Sequence, residues 1–150
     1  MKETLALFAA ALVSACGGAS PSPPSYPDPG EPNETFVTAT PIVPSTPIVA
    51  TLSSAADLDF FAFTVPPGGA TVRFQTFDEG GTSCDPVNGT VDTFLDVYDP
   101  SETHAGWSDD SGINLCEDFD LGLPEGTSYV RVSTYPGYGP FVYTLSVDVL

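Results

Sequence analysis

From residue 48 onward the chain alternates apolar and polar positions with a period of two. In 59–65, DFFAFTV, the side chains of Phe61, Phe63 and Val65 fall on one face. In ATVRFQTF, Val72 and Phe74 point one way while Arg73 and Gln75 point the other. DTFLDVYD sets Leu95 and Val97 against Asp92, Phe94, Asp96 and Tyr98, and SYVRVSTY sets Val130 and Val132 against Arg131 and Ser133. The last run, FVYTLSVDVL, places Phe141, Tyr143, Leu145, Val147 and Val149 together. Such runs, rich in Val, Phe, Tyr and Thr, are half-buried strands. PPGG at 66–69, DEGG at 78–81, DDSG at 109–112 and LPEG at 123–126 are turn sequences between them. No helical period is sustained past the N-terminal segment. Short strands with Gly/Pro turns predict an all-β fold, an antiparallel β-sandwich, jelly-roll-like, of roughly eight strands.

The N-terminus is of another kind. After Lys2 comes an uncharged run from Leu5 to Ala15. As a helix it would span about 16 Å, short of the roughly 30 Å of a bilayer's hydrocarbon. It reads as a secretory signal peptide. Val13-Ser14-Ala15-Cys16 resembles the lipobox of bacterial lipoproteins, whose cleavage leaves a lipid-modified cysteine as the first residue. The competing reading is an ordinary signal peptide with an incidental cysteine. The resemblance implies lipidation of Cys16 and attachment to the membrane through a lipid anchor. Gly17, rather than Asp, follows the cysteine, which in such lipoproteins implies the outer membrane or cell surface. Several acyl chains, at about 0.8 kcal/mol per buried CH₂, make a durable anchor. The sequence thus divides into a signal peptide at 1–15, the lipidated cysteine with a Pro-rich tether at 16–30, and a folded domain at 31–150. At about 3.1 Å per residue the tether reaches roughly 30–40 Å.

Charge narrows the partners. Against 20 Asp+Glu stand 3 Lys+Arg, a formal net charge of -17. Nucleic acid and anionic lipid headgroups need clustered Lys/Arg and are excluded as partners. Cations, basic proteins and neutral sugars remain. With 41% hydrophobic residues the chain can still build a core. An exported chain also permits disulfides, and a Cys84–Cys116 bond is the economical fate of the two remaining cysteines. It would close a loop of about 33 residues, worth roughly 3–4 kcal/mol. Free thiols or a metal pair are the alternatives.

EPNETF, DLDFFAFTVPPGG, DTFLDVYDP, SDDSG, LPEGTSYVRVSTYPGYG and FVYTLSV, in that order, resemble the bacterial pre-peptidase C-terminal domain. That β-sandwich module is usually appended to secreted peptidases and is related to the collagen-binding domains of clostridial collagenases. Here no peptidase precedes it in the sequence, so the accessory role is kept only as an alternative. The resemblance implies a calcium site built from an acidic segment at the domain's N-terminal edge and an Asp-x-Asp before the first aromatic strand. By position these are Glu31, Asn33, Glu34, Asp57 and Asp59. Calcium takes six to eight hard oxygen ligands, which suits carboxylates and an amide. Without the metal, Asn33 and Glu34 would cap a turn, and Asp57 and Asp59 would be solvated charges at a strand edge.

A second acidic group, Asp92, Asp96, Asp99, Asp109 and Asp110, reads as a second cation site or as solubilising surface charge. Trp107, the only tryptophan, could stack on a ligand or pack into a turn; Tyr135 and Tyr138 are loop aromatics of the same kind. His104 is the only histidine, placed in a polar loop, and no serine stands in a G-x-S-x-G elbow. The sequence therefore points to a non-enzymatic binding domain for an extracellular protein or polysaccharide. A structural or envelope-assembly lipoprotein, or the accessory of a separately encoded secreted peptidase, is the alternative. Detergent-phase partitioning tests the anchor. The mature protein is expected in the detergent phase and the Cys16→Ser protein in the aqueous one, whereas a Cys16→Ser protein that stays membrane-bound rules out the lipobox.

Overall fold

The computed structural model describes residue 28 and residues 30–79, 81, 91–134 and 139–150. Nine strands occur among these: β1 (Thr40–Pro41), β2 (Ile48–Leu52), β3 (Asp59–Val65), β4 (Ala70–Asp78), β5 (Thr93–Tyr98), β6 (His104–Asp109), β7 (Asp118–Leu123), β8 (Gly126–Thr134) and β9 (Phe141–Val149). They form a five-stranded sheet in the order β1-β3-β8-β5-β6 and a four-stranded sheet in the order β2-β9-β4-β7. Every pairing is antiparallel except β1 with β3. The fold is the expected β-sandwich.

The period-two faces meet in the middle. Phe61, Phe63, Leu95, Val97, Val130 and Val132 from the first sheet pack against Leu52, Val72, Phe74, Tyr143, Leu145 and Val147 from the second. Phe63 and Phe74 make an edge-to-face contact across the interface, with centroids 5.7 Å apart. The turns fall where Gly and Pro place them. Gly69 closes the β3–β4 turn at φ +78°, and a Cβ there would sit 2.7 Å from the Leu123 carbonyl oxygen, so only glycine fits.

Two elements depart from the sequence reading. His104 opens strand β6 rather than lying in a loop, and its imidazole Nε2 is 2.9 Å from Asp96 Oδ1. The 30–39 segment, preceding the first strand, is fastened to the outer face of the five-stranded sheet. The Phe36 ring sits edge-on to Phe60, Tyr98 and Tyr129 at 4.9, 5.0 and 5.2 Å. The Phe60 N–H donates to the Asn33 carbonyl at 2.9 Å, so this segment extends the edge of the sheet at the start of β3.

Candidate functional site

Strand alternation puts Asp59 where a carboxylate is costly. It is the first residue of β3 and shares its face with Phe61, Phe63 and Val65, so its side chain enters the core. Asp59 is 0% exposed. Its Oδ2 accepts a hydrogen bond from the hydroxyl of Tyr143, on β9 of the opposite sheet, while its Oδ1 is buried with no hydrogen-bond partner.

Three more carboxylates converge on it. Asp28, Glu31, Asp57 and Asp59 each offer an oxygen, all within 4.8 Å of one another. The loop after β2 holds Asp57: its Oδ2 accepts the Ser53 N–H at 2.6 Å and its Oδ1 the Leu58 N–H at 3.0 Å. Asp28 Oδ1 is buried without a partner. Asn33 is 0% exposed, and neither its Oδ1 nor its Nδ2 has a hydrogen bond. A wholly buried, unsatisfied amide beside a buried, unsatisfied carboxylate oxygen is costly in a protein interior. These are hard oxygen donors, and they fit a hard divalent cation, which would satisfy the Asn33 and Asp59 oxygens together.

The placements differ from the sequence assignment at two positions. Glu31, Asn33, Asp57 and Asp59 come to one region, but Glu34 is exposed and is not one of the clustered carboxylates. The fourth carboxylate is Asp28, which the sequence reading put in the tether. The signal for it was an acid between two prolines, PDPG, three residues ahead of Glu31. Tyr143 also has a role that the pattern only hinted at, since a tyrosine on an otherwise apolar core face needs a partner for its hydroxyl.

Electrostatics follow from this crowding. Burial, helped by the charges of Asp28, Asp57 and Glu31, pushes the Asp59 carboxyl up from 3.8 to about 7, against the opposing Tyr143 hydrogen bond. Burial first, then neighbouring carboxylates, raises Glu31 as well, and burial raises Asp28. Burial and the Asp59 carboxylate push the Tyr143 phenol well above its usual range.

The second acidic group is split by the fold. Asp92, Asp109 and Asp110 offer oxygens within 4.8 Å of one another. Asp96 lies elsewhere, on the outer face of β5, bonded to Arg131 and His104. Asp99 caps a turn, accepting the N–H groups of Ser101 and Thr103 at 2.8 and 3.0 Å.

Trp107 lies on the outer face of β6 and is 60% exposed. Its ring lies parallel to that of Phe94, its diagonal neighbour on β5, at 5.7 Å and 7°. Beside this pair stand Asp96, Arg131 and His104, and beyond them the Phe36 cluster. Cys116 is buried, at 2% exposed. Cys16, Cys84, Tyr135 and Tyr138 lie outside the described residues.

The described geometry is similar to that of the pre-peptidase C-terminal domain of collagenase from Bacillus anthracis. The match covers 73% of this chain and 94% of that one, at a TM-score of 0.56 and 20% identity. The chain thus has the fold of that domain. It is also similar over 75% of its length to PliG from Aeromonas hydrophila, a periplasmic lysozyme inhibitor of g-type lysozyme, covering 97% of that chain at 12% identity and a TM-score of 0.46. Neither a family model nor a curated protein matches the sequence.

Asp59 makes stability depend on pH with a definite sign. Between 3.8 and about 7 the folded state keeps a proton that the unfolded chain has released, so stability falls as pH rises through this window. In the presence of chelator, urea unfolding should lose on the order of 2–3 kcal/mol between about pH 5 and about pH 8. Asp59→Asn keeps an acceptor for Tyr143 and carries no charge, so it should lose distinctly less. Equal losses in both proteins would remove Asp59 as the source.

Proposed function

We propose that this chain is a non-enzymatic, lipid-anchored extracytoplasmic domain that binds an extracellular protein or polysaccharide and is stabilised by calcium. The observation that carries the binding reading is the Phe94–Trp107 pair. An indole left 60% exposed and stacked flat on a neighbouring ring costs solvation that a ligand would recover. Both rings stand on strands, which hold them in place for contact with a sugar ring or a partner side chain. The similar collagenase domain supports the class, a β-sandwich of the kind found in a bacterial collagenase. The lipobox resemblance at Cys16 supports attachment to the outer membrane or cell surface, with 16–30 as tether and 31–150, joined by Asp28, as the folded unit. Under this reading Cys84 pairs with Cys116, whose buried position suits a disulfide better than a titrating thiol.

Calcium is assigned to Asp28, Glu31, Asn33, Asp57 and Asp59 because the buried orphan oxygens of Asn33 and Asp59 ask for a cation rather than a proton donor. When bound, the ion supplies charge neutralisation and a cross-link between the N-terminal segment and β3. Stabilisation follows RT ln(1 + [L]/Kd), about 2.7 kcal/mol at 100 times Kd. For a domain of this size that raises the melting temperature by roughly 8–12 °C, reversibly on chelation. Magnesium should substitute poorly, because it demands a smaller, near-octahedral shell. Asn33→Ala and Asp57→Ala should erase the calcium shift, and Glu34→Ala should keep it. Coincident melts with calcium and with chelator would sink the site.

The ligand face is tested with the Cys16→Ser protein on immobilised collagen, chitin and peptidoglycan. Trp107→Ala should weaken capture by at least about tenfold, in the range of an aromatic hot spot, without moving the melting temperature. Capture that ignores Trp107→Ala, or no capture on any of the three, would leave the aromatic face without a role.

A further inference from the structure

The five-stranded sheet ends differently on its two sides. On one side β1 is two residues long and includes Pro41, which has no N–H to offer a further strand. On the other side β6 runs six residues, HAGWSD, with neither proline nor lysine, the usual guards of an open edge. Its register with β5 is regular from Gly106 to Asp109 and shifts only between Val97 and Tyr98. Among the described residues, no strand pairs with its far side. Alternate N–H and C=O groups of this stretch therefore point outward, as on any edge strand.

Trp107 stands in that regular stretch, on the outer face and 60% exposed. Phe94, one strand inward, takes one side of the indole: the two rings are parallel within 7°, with centroids 5.7 Å apart. The other side of the indole is turned away from β5, toward the open edge. A residue on an added strand would have its Cβ roughly 5 Å from that of Trp107. That is inside the roughly 6 Å over which an aromatic face holds a cation.

The charge around this edge has one sign. β6 lies over β7, the edge of the second sheet: a Cβ on Gly106 would meet Leu121 Cδ2 at 3.1 Å. On and beside the two edges Glu102, Asp109, Asp110, Asp118 and Asp120 are exposed. Arg73, reaching from β4, answers Asp120 and Asp118, while His104 is held by Asp96. No ion pair among the described residues reaches Glu102, Asp109 or Asp110. Asp109 stands two residues from Trp107 on the same strand face, about 7 Å along the chain.

We propose, building on the reading of Phe94 and Trp107 as a ligand face, that the open edge of β6 takes an extended, arginine-bearing segment of a basic protein as an added strand. Backbone hydrogen bonds along the edge hold the segment, and its alternate side chains fall on the outer face. An arginine opposite Trp107 lays its guanidinium on the free side of the indole, and the side chain two residues along meets Asp109. The net charge of -17 draws such a partner in. A neutral polysaccharide would use the indole, but neither the backbone groups of the edge nor the acids. An anionic polysaccharide would be repelled.

The probe is a dye-labelled peptide of about ten residues, alternating arginine and threonine, titrated with the purified full chain and read by anisotropy. Trp107, the only tryptophan, should change its own fluorescence at the same midpoint. Trp107→Ala should weaken binding at least about fivefold, and Trp107→Phe, which keeps an aromatic face, by less. Binding that ignores Trp107→Ala overturns the proposal. Asp109→Asn and Glu34→Gln each remove one charge from an exposed acid, but only the first stands beside the indole. Asp109→Asn should weaken binding about threefold and Glu34→Gln should leave it nearly unchanged. Equal effects would mean attraction by net charge alone and overturn the proposal. The same peptide, N-methylated on consecutive central residues, keeps its arginines and loses its backbone donors; it should bind at least about tenfold more weakly. Equal binding of the two peptides overturns strand addition. A chitin oligosaccharide, titrated in the same way, separates the two levels of failure. If it shifts the Trp107 fluorescence and the peptide does not, the ligand face stands and the basic partner is overturned; if neither does, both fall.

Discussion

The hydrogen bond from the Tyr143 hydroxyl to the Asp59 carboxylate joins the two sheets at a point where strand geometry would ordinarily demand a hydrocarbon. Both residues are 0% exposed. An isolated carboxylate in that position would be expelled or protonated. One donor serves one oxygen, and the other oxygen remains orphaned. Much of this end of the molecule is arranged around that deficit. The Asn33 carbonyl pairs with the Phe60 N–H, bringing the unpartnered Asn33 amide to the first residues of β3. The backbone of the 53–58 loop fixes both oxygens of Asp57. Phe36 holds the N-terminal segment from the outside, by three edge-to-face contacts. Each anchor uses backbone or aromatic contacts and, among the described residues, leaves the carboxylate cluster itself without a positive side chain.

That last feature reflects the scarcity of cations in the chain. Both arginines are committed elsewhere: Arg73 to Asp120 and Asp118 on the four-stranded sheet, Arg131 to Asp96 on the other. The chain has a formal charge of -17, and its only other Lys or Arg is Lys2. The acids at 28, 31, 57 and 59 therefore repel one another, and burial first, with this repulsion added to it, raises the carboxyls of Asp59, Glu31 and Asp28. A protein could remove such repulsion by substitution at no structural cost on exposed Glu31. Four acids around a buried amide would be relieved by a countercharge from solution, as the proposed calcium would supply.

The sheets were legible in the sequence where one face is buried and the other is not. β3, β4, β5 and β8 each show that alternation, and their inward residues are the ones found in the core. β9 was legible too, although both its faces are covered over most of its length. β6 was not, because an edge strand with only Ser108 buried has no apolar rhythm to display. β7 carries Phe119, Leu121 and Leu123 on one face, but Asp118, Asp120 and Gly122 between them lower its strand propensity and mask it. The carboxylate cluster was only partly legible for a different reason. It gathers residues from the N-terminal segment, the loop after β2 and the start of β3, and no local period encodes such a meeting. Position in a known pattern brought Glu34 forward, although its side chain faces solvent, and composition hid Asp28 in a proline-rich run.

The outer face of the five-stranded sheet and its acidic end belong to the same mechanical unit. β5 contributes Phe94 to the aromatic pair and follows directly on Asp92; β6 contributes Trp107 and ends in Asp109. Phe94 and Asp109 are register partners. Any force that draws Asp109 and Asp110 toward Asp92 therefore pulls together the two strands that carry the stacked rings. Glu117 keeps the turn from yielding in the other direction, through hydroxyl and N–H donors on both sides of Asp110.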